Sequence, residues 1–290
     1  MSNILLTAPM QIAAVAASRG SGIANLLTAD PREVWLDSAV GSPASIDIDL
    51  GSGRVIDTVF LGCLFNVDRA ATWTITGGLA GYAEQVIQPV QAMRVPDRTS
   101  ALRTMSHALW FGGEQLVRYL RVTIVQPAGA SPLSIGALVV GDGFQPRLNK
   151  EWGAGRGVKD TGVVTRLASG GVAVVDGVRY GTYGWTLGDL SVDEADALYE
   201  MQLAVGESRP MLVVEDPDRT AGLRNRIHYG ALTGLRAFER RNVRQTSWQL
   251  SFEDWAIEPD QPVKTILSIA VLTLGGVPLT LGGDIMTLGE

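Results

Sequence analysis

The chain has 290 residues, a formal charge of −6, 46% hydrophobic residues and 19% charged ones. That balance is globular rather than disordered, and its negative sign excludes bulk attraction to nucleic acid or an acidic membrane. Cys63 is the only cysteine, so no intrachain disulfide forms, and the length suffices for two domains with real cores.

The first stretch, Ile4 to Ala17, is apolar but lacks the positively charged start of a signal peptide, and Pro9 and Gln11 interrupt it. No apolar run reaches the roughly 20 residues that a membrane helix needs. A soluble protein made in the cytoplasm, without membrane insertion, is therefore expected. From Ala17 to about Pro146 the chain reads as short strands and turns. Ser45 to Gly51 alternates, with Ile46, Ile48 and Leu50 on one face and Asp47 and Asp49 on the other. Gly51-Ser52-Gly53 reads as a turn, Val55 to Leu61 as the next strand, and Thr72 to Thr76 as another, ended by Gly77-Gly78. Val117 to Ile124 sets apolar Val117, Tyr119 and Ile124 against Arg118, Arg121 and Thr123. Strands at such short intervals indicate a sandwich or jelly roll.

Gly141 to Pro146 breaks the pattern and marks a boundary, dividing the chain into residues 1–146, 147–260 and 261–290. In the second part Val163 to Leu167 and Val172 to Val175 read as strands. Asp176-Gly177, between Val172–Val175 and Val178–Tyr180, carries a two-residue hairpin signal. Ser191 and Glu194 form a capping box that starts a helix over 191–205, with an apolar stripe of Val192, Ala195, Leu198, Tyr199 and Leu203 and a stop at Gly206. Pro210 to Val214 is a buried strand. Ser247 to Trp255 alternates, with Trp248, Leu250 and Phe252 together. The last part repeats every seven residues at Thr273-Leu274-Gly275-Gly276, Thr280-Leu281-Gly282-Gly283 and Thr287-Leu288-Gly289-Glu290. Gly-Gly pairs between short apolar runs predict a β-hairpin meander that packs on its own domain or adds to another subunit, with Leu274, Leu281 and Leu288 as interface candidates.

Arginine outnumbers lysine 21 to 3. Seven arginines lie between Arg219 and Arg244 with Glu239 the single acid among them. A solvated face is one reading. A subunit interface using Arg224, Arg226, Arg236, Arg240, Arg241 and Arg244 is another. No nucleic-acid motif supports a sequence-specific nucleic-acid partner.

Catalytic chemistry finds no foothold. His107 and His228 are the only histidines, and neither stands at ligand spacing from Cys63, so no metal site, cofactor or catalytic residue is assigned. Gly153 to Gly157 lacks the lysine and hydroxyl of a phosphate loop.

Two resemblances follow from these residues. Asn25-Leu26, Asp30, Trp35, Ile46 to Gly51, Val55 to Val59 and Val117 to Val122, in this order, resemble the discoidin or coagulation-factor C-terminal domain, a galactose-binding-like jelly roll. The match covers about the first half of the chain. It implies ligand contact through loops at one end, and the family's ligands include sugars, lipids and proteins. The cysteine pair that often staples such domains is missing. Trp73, Tyr82, Trp110 and Phe111 are candidates for stacking on a glycan, and the plainer reading places most of them in the core or an interface.

The second half resembles proteins near the tail tip of long-tailed phages. The residues are Gly141-Asp142, Trp185-Thr186-Leu187, Leu190-Ser191, Glu194-Ala195-Asp196, Leu198, Arg209 to Val213 and Trp248 to Trp255. The resemblance implies a second β-sandwich with one helix, related to the tail-tube fold. It also implies a homo-oligomeric ring, six-membered in that family, with tube and hub proteins as partners. The place would be the virion tail, after assembly in the host cytoplasm. The expected protein is thus mainly β and non-enzymatic: a distal tail or baseplate-like component with an outward domain for docking or for receptor or glycan contact. The alternative is a carbohydrate-binding module of a cell-surface or enzyme-associated protein.

Overall fold

The structure is a computed structural model that describes residues 3–97, 105–166, 168, 170–242 and 245–255, and the backbone of six two-residue strands between 270 and 288. Residues 1–259 form one compact unit and residues 260–290 a second. In the first half the strands are β1 (Leu5–Thr7), β2 (Ala14–Ala17), β3 (Trp35–Leu36), β4 (Ala44–Leu64), β5 (Thr72–Gly78), β6 (Gln85–Ala92), β7 (Ser106–Val125), β8 (Ser134–Ile135), β9 (Ala137–Gly141) and β10 (Gly143–Phe144). There follow β11 (Gly155–Asp160), β12 (Val163–Arg166), β13 (Val172–Val175), β14 (Arg179–Leu190), helix α1 (Val192–Val205), β15 (Met211–Val214), β16 (Ile227–Leu232), β17 (Glu239–Arg240) and β18 (Thr246–Asp254). The mainly β architecture with one α-helix is the one expected.

The β-sandwich is built on two long strands. β4 pairs with β7 from Ala44↔Ile124 to Leu64↔Ser106, and both pass through register shifts. The first part of β4 lies beside β2, and the later part beside β9. Ile46, Ile48 and Leu50 share one core with Ile56, Val59, Leu61, Trp73, Val122 and Val140, so the two parts of the strand close on each other. Bulges let a strand bend between the layers of a sandwich. The expected turn at Gly51-Ser52-Gly53 is such a bulge. β4 continues through it, with Gly51 at φ 78° and the register broken between Asp49 and Arg54.

The later part of β4 does not alternate. Ile56 to Leu64 is buried throughout, because it has protein on both faces. Ile56, Val59 and Leu61 point into the sandwich core, while Phe60 points the other way, into a seam with Leu5, Val139, Leu212, Val214, Ile227 and Tyr229. A strand buried on both faces favours an apolar run, and the two polar residues that interrupt this one, Asp57 and Thr58, are bonded to each other at 2.7 Å.

That seam joins the sandwich to a second sheet of order β10-β1-β15-β16-β18-β14-β11, with β17 also on β18. β1 is a correction to the boundaries read from sequence. Leu5–Thr7 pairs with β15 through Leu6↔Val213, so the start of the chain lies inside the second sheet. Its three residues are buried: Leu5 faces the seam, Leu6 faces the helix side as the preceding Ile4 does, and Thr7 meets Thr58 of β4.

α1 covers that helix side with Ala195, Leu198 and Val205 against Trp185, Leu187, Trp248 and Phe252. Its capping box is present: Glu194 N donates to Ser191 Oγ at 3.3 Å and Ser191 N donates to Glu194 Oε2 at 2.8 Å. The stripe is narrower than expected. Val192, Tyr199 and Leu203 are exposed, and Gln202 is buried instead. The hairpin signal at Asp176-Gly177 is also corrected. β13 pairs with β12 and β14 with β11, so one ribbon runs out and back. Its reversal lies between Arg166 and Val172, where Gly170 takes φ 86°. Gly177 instead faces Gly162 across the ribbon, where a Cβ would stand 2.0 Å from Gly162 N.

In the C-terminal unit, Thr273–Leu274 pairs with Val277–Pro278, Thr280–Leu281 with Asp284–Ile285, and Ala270–Val271 with Thr287–Leu288. The Gly-Gly pairs therefore lie between paired strands, as a hairpin repeat requires, and among the described residues these strands form three two-stranded ladders rather than the expected meander. Leu274, Leu281 and Leu288 all lie within these ladders. Among the described residues no helix is long and apolar enough to cross a membrane.

Because the seam is shared by both sheets, Leu5→Ala is expected to cost about 2–5 kcal/mol. It should lower one common unfolding transition, followed by far-UV circular dichroism and tryptophan fluorescence in urea. Two separated transitions would show that the sheets unfold independently.

Candidate functional site on the open face of the sandwich

The sandwich sheet that carries β2, the first part of β4, β7, β5 and β6 has an open face, and a bulge decides what stands on it. On β7, Val117, Leu120, Val122 and Ile124 point into the core. Two residues, Arg118 and Tyr119, stand between the inward Val117 and Leu120, opposite the bulge of β4, and both are half-exposed. Tyr119 was expected inward with Val117. The slip in phase puts it outside, opposite Asp49.

Tyr82 joins Tyr119 from the connection between β5 and β6. Glu84 orders that connection, accepting from Leu79 N at 2.9 Å and Ala80 N at 2.8 Å. Thr76 Oγ1 donates to Tyr82 O at 2.7 Å. The two tyrosine rings meet edge to face, with centroids 5.1 Å apart and planes at 63°. Arg118 stacks over Tyr119 at 4.6 Å and Arg121 over Tyr82 at 5.3 Å. Each guanidinium also grips a carboxylate from β4 with two bonds: Arg121 to Asp47 at 2.6 and 2.7 Å, Arg118 to Asp49 at 3.0 and 3.2 Å. The Arg118 guanidinium and the Gly51 amide hold the Asp49 carboxyl below its ordinary range, and burial with the neighbouring Asp47 and Asp49 raises the Tyr82 hydroxyl. Such fork-to-fork pairs fix the planes of both groups.

The result is a platform of two aromatic rings between two guanidinium–carboxylate pairs. Ring faces and edges suit the C–H surfaces of a sugar. The remaining lone pairs and N–H groups suit its hydroxyls. Of the four aromatics singled out from sequence, Tyr82 alone stands in this platform. Trp73 is buried in the sandwich core, Trp110 packs against that core, and Phe111 packs against the seam. Tyr119, Arg118, Arg121, Asp47 and Asp49 went unmarked as site residues, although the alternation of Ser45 to Gly51 already put both aspartates on one face.

The arginines expected at an interface divide. Arg224 is buried, its Nε donating to Met105 O at 2.9 Å, and Arg226 pairs with Glu215 at 3.2 Å, so neither offers a free surface. Arg236, Arg240 and Arg241 are exposed, Arg241 pairing with Glu151 at 3.1 Å. Arg244 lies outside the described residues.

A second group of polar residues is interior. His228 lies between Asp254 (Nδ1 to Oδ1, 2.9 Å) and Glu215 (Nε2 to Oε1, 3.3 Å), stacked parallel to Tyr183 at 5.0 Å. Arg156 also reaches Glu215, at 3.1 Å. Burial lowers the imidazole's proton affinity, but the hydrogen bonds and charges of Asp254 and Glu215 outweigh it and hold His228 up at about 9. With side chains 6% and 8% exposed, His228 and Glu215 are saturated by protein partners rather than open to a substrate. Cys63 is buried, and desolvation pushes its thiol up to about 12, far from a nucleophile's range. Among the described residues no His, Cys, Asp and Glu group could hold a metal ion.

No protein-family model and no curated protein matches the chain. Solved structures do. Chitosan-binding module 1 of a chitosanase/glucanase from Paenibacillus sp. IK-5 is 15% identical, over 44% of this chain and 92% of that one, with a TM-score of 0.34. The CBM32-3 module of a family 31 glycoside hydrolase from Clostridium perfringens is 15% identical, over 47% and 94%, with a TM-score of 0.37. A pectin-binding carbohydrate-binding module is 14% identical, over 45% and 91%, with a TM-score of 0.35. Each likeness spans under half of this chain, and the sandwich assignment rests on the strand pairing itself.

The His228 cluster sets a pH dependence. A histidine raised from about 6.5 to about 9 contributes stability that is complete below pH 6.5 and is lost as pH rises through 9. The unfolding free energy measured in urea should therefore fall between pH 6.5 and 9.5, by on the order of 2–3 kcal/mol. His228→Gln should be less stable at pH 6 and flat across that window. A wild-type profile equally flat would contradict the imidazolium assignment.

Proposed function

We propose that the protein is a non-catalytic recognition and docking protein whose sandwich contacts a glycan through the Tyr82–Tyr119 platform. One observation carries this reading: a half-exposed aromatic pair is held between two bidentate Arg–Asp pairs on an otherwise open sheet face. Rigid, amphipathic surfaces of this kind bind sugars with little loss of side-chain freedom. The site differs from the loop-end contact implied by the discoidin resemblance, since it lies on the strands and on one connection. A glycan array followed by calorimetry tests it. Tyr82→Ala and Tyr119→Ala should each weaken binding about tenfold or more, while the fold is retained because both residues are half-exposed. A wild-type protein that binds no glycan, or variants that bind as well as wild type, would sink the proposal.

A second reading rests on a different observation. The ribbon of β12 and β13 exposes valines on both faces, which suits a subunit that is covered in an assembly. With the resemblance of the second half, this supports a structural component of a phage tail tip, distal tail or baseplate-like. It would be a ring of copies joined to tube and hub proteins in the virion, with the sandwich outward. Mass spectrometry of purified virions should then find the chain at a fixed ratio to the tube protein, and its absence from virions would remove this reading.

A further inference from the structure

Among the described residues, the ribbon is an exposed apolar feature that neither the platform nor the buried cluster uses. Val163, Val164, Val172, Val174 and Val175 are between 56% and 68% exposed. The register Val163↔Val175 and Val164↔Val174 places one valine pair on each face, because cross-strand partners share a face and successive residues alternate. An isolated two-stranded ribbon is marginally stable in water, and one that is apolar on both faces needs a cover.

A matching surface exists on the same chain. On α1, Tyr199 and Leu203 are 46% and 63% exposed, and with Leu235 and Phe238 they line a groove floored by Trp248. Charge agrees as well as polarity on the helix side of the groove, while its 235–238 side carries one cation, Arg236, bonded to Gln249. The ribbon and its base, residues 155–180, carry four cations (Arg156, Lys159, Arg166, Arg179) and two acids (Asp160, Asp176). α1 carries four acids (Asp193, Glu194, Asp196, Glu200) and no cation. Arg166 shares the Val164–Val174 face of the ribbon, and Asp196 and Glu200 are exposed beside Tyr199.

The two surfaces belong to opposite ends of one strand. The ribbon leaves β14 at Arg179, whereas the groove's Trp248 faces Leu187, eight residues along and about 26 Å away at 3.3 Å per residue. In one chain the valines remain exposed and the groove remains open. A donor at one end and an acceptor at the other define a heterologous contact, the kind that joins copies head to tail into a ring or a filament.

We infer that the β12–β13 ribbon of one copy docks its Val164–Val174 face into the α1 groove of a second copy, with Arg166 toward Asp196 and Glu200. The inference rests on the assembly reading above and names its contact.

Light scattering coupled to size exclusion, on the full chain, tests both. Wild type should self-associate. The Val164→Asp/Val174→Asp variant and the Leu203→Asp variant, all at exposed positions, should each weaken association at least about tenfold and run as monomers with an unchanged circular-dichroism spectrum. Mixed one to one, they should form a dimer that grows no further, since one intact donor and one intact acceptor remain. Association of wild type that both variants retain overturns this contact and leaves the assembly reading standing. A wild type that is monomeric at its highest soluble concentration overturns both. A variant that loses its native spectrum is replaced by Val174→Ser or Leu203→Ser, which must lower association in the same direction.

Discussion

The apolar seam between the sandwich and the second sheet is the constraint on which the rest depends. Phe60 and Val139 on one side meet Leu5, Leu212, Val214 and Tyr229 on the other. Once that face of the sandwich is covered, the later part of β4 is buried on both sides, and its two polar residues bond inside: Asp57 Oδ1 accepts from Thr58 Oγ1 and from Gly143 N, both at 2.7 Å. The start of the chain must also reach the second sheet, because Leu5 is one of the seam's residues. A sheet buried on two faces favours apolar strands: β15 is apolar throughout, and β1 is apolar but for the buried Thr7. The seam therefore makes one compact unit of residues 1–259 from what reads along the chain as two domains.

The seam also decides which surfaces stay free. With one side of the sandwich occupied, the first part of β4 and β7 keeps its outer face in water, and the alternating Ile46-Asp47-Ile48-Asp49 pattern survives there. The charges then separate into two kinds. Asp47 and Asp49 take arginine partners at the surface, where pairing orients side chains more than it stabilises the fold. Glu215, His228 and Asp254 are enclosed by β11, β14, β15, β16 and β18, where an unpaired charge would be costly, and each finds a partner.

Much of this was legible. Alternation marked Ser45 to Gly51 and Ser247 to Trp255, the capping box marked Ser191, and the Gly-Gly pairs marked the breaks between strands in the C-terminal repeat. The errors share a cause. Asp176-Gly177 looked like a hairpin because Asp-Gly between valine runs satisfies turn chemistry, yet strand pairing placed the reversal near Gly170. Gly51-Ser52-Gly53 looked like a turn, and the long partner β7 made it a bulge. Tyr119 was assigned inward by counting in twos, and that same bulge shifted the count. Local rules describe what a segment tolerates, whereas pairing over distances such as Asp49↔Tyr119 selects among the tolerated forms. The site followed the same logic. Aromatic type picked Trp73, Tyr82, Trp110 and Phe111; of these Trp73, Trp110 and Phe111 pack against the interior, while the platform keeps Tyr82 and adds Tyr119, whose hydroxyls tolerate water.

By itself the sequence determined the mainly β class, the capped helix, the absence of an intrachain disulfide and the outward placement of Asp47 and Asp49, because each follows from composition or from periodicity within a few residues. Tertiary structure decided the rest. It set which sheet Leu5 joins, which aromatics meet, the enclosure of His228 between two acids 13 and 26 residues away, and the exposure of valines that any local rule would bury. Those outcomes depend on which faces remain uncovered after the sheets have packed, and that quantity exists only once distant segments are in contact.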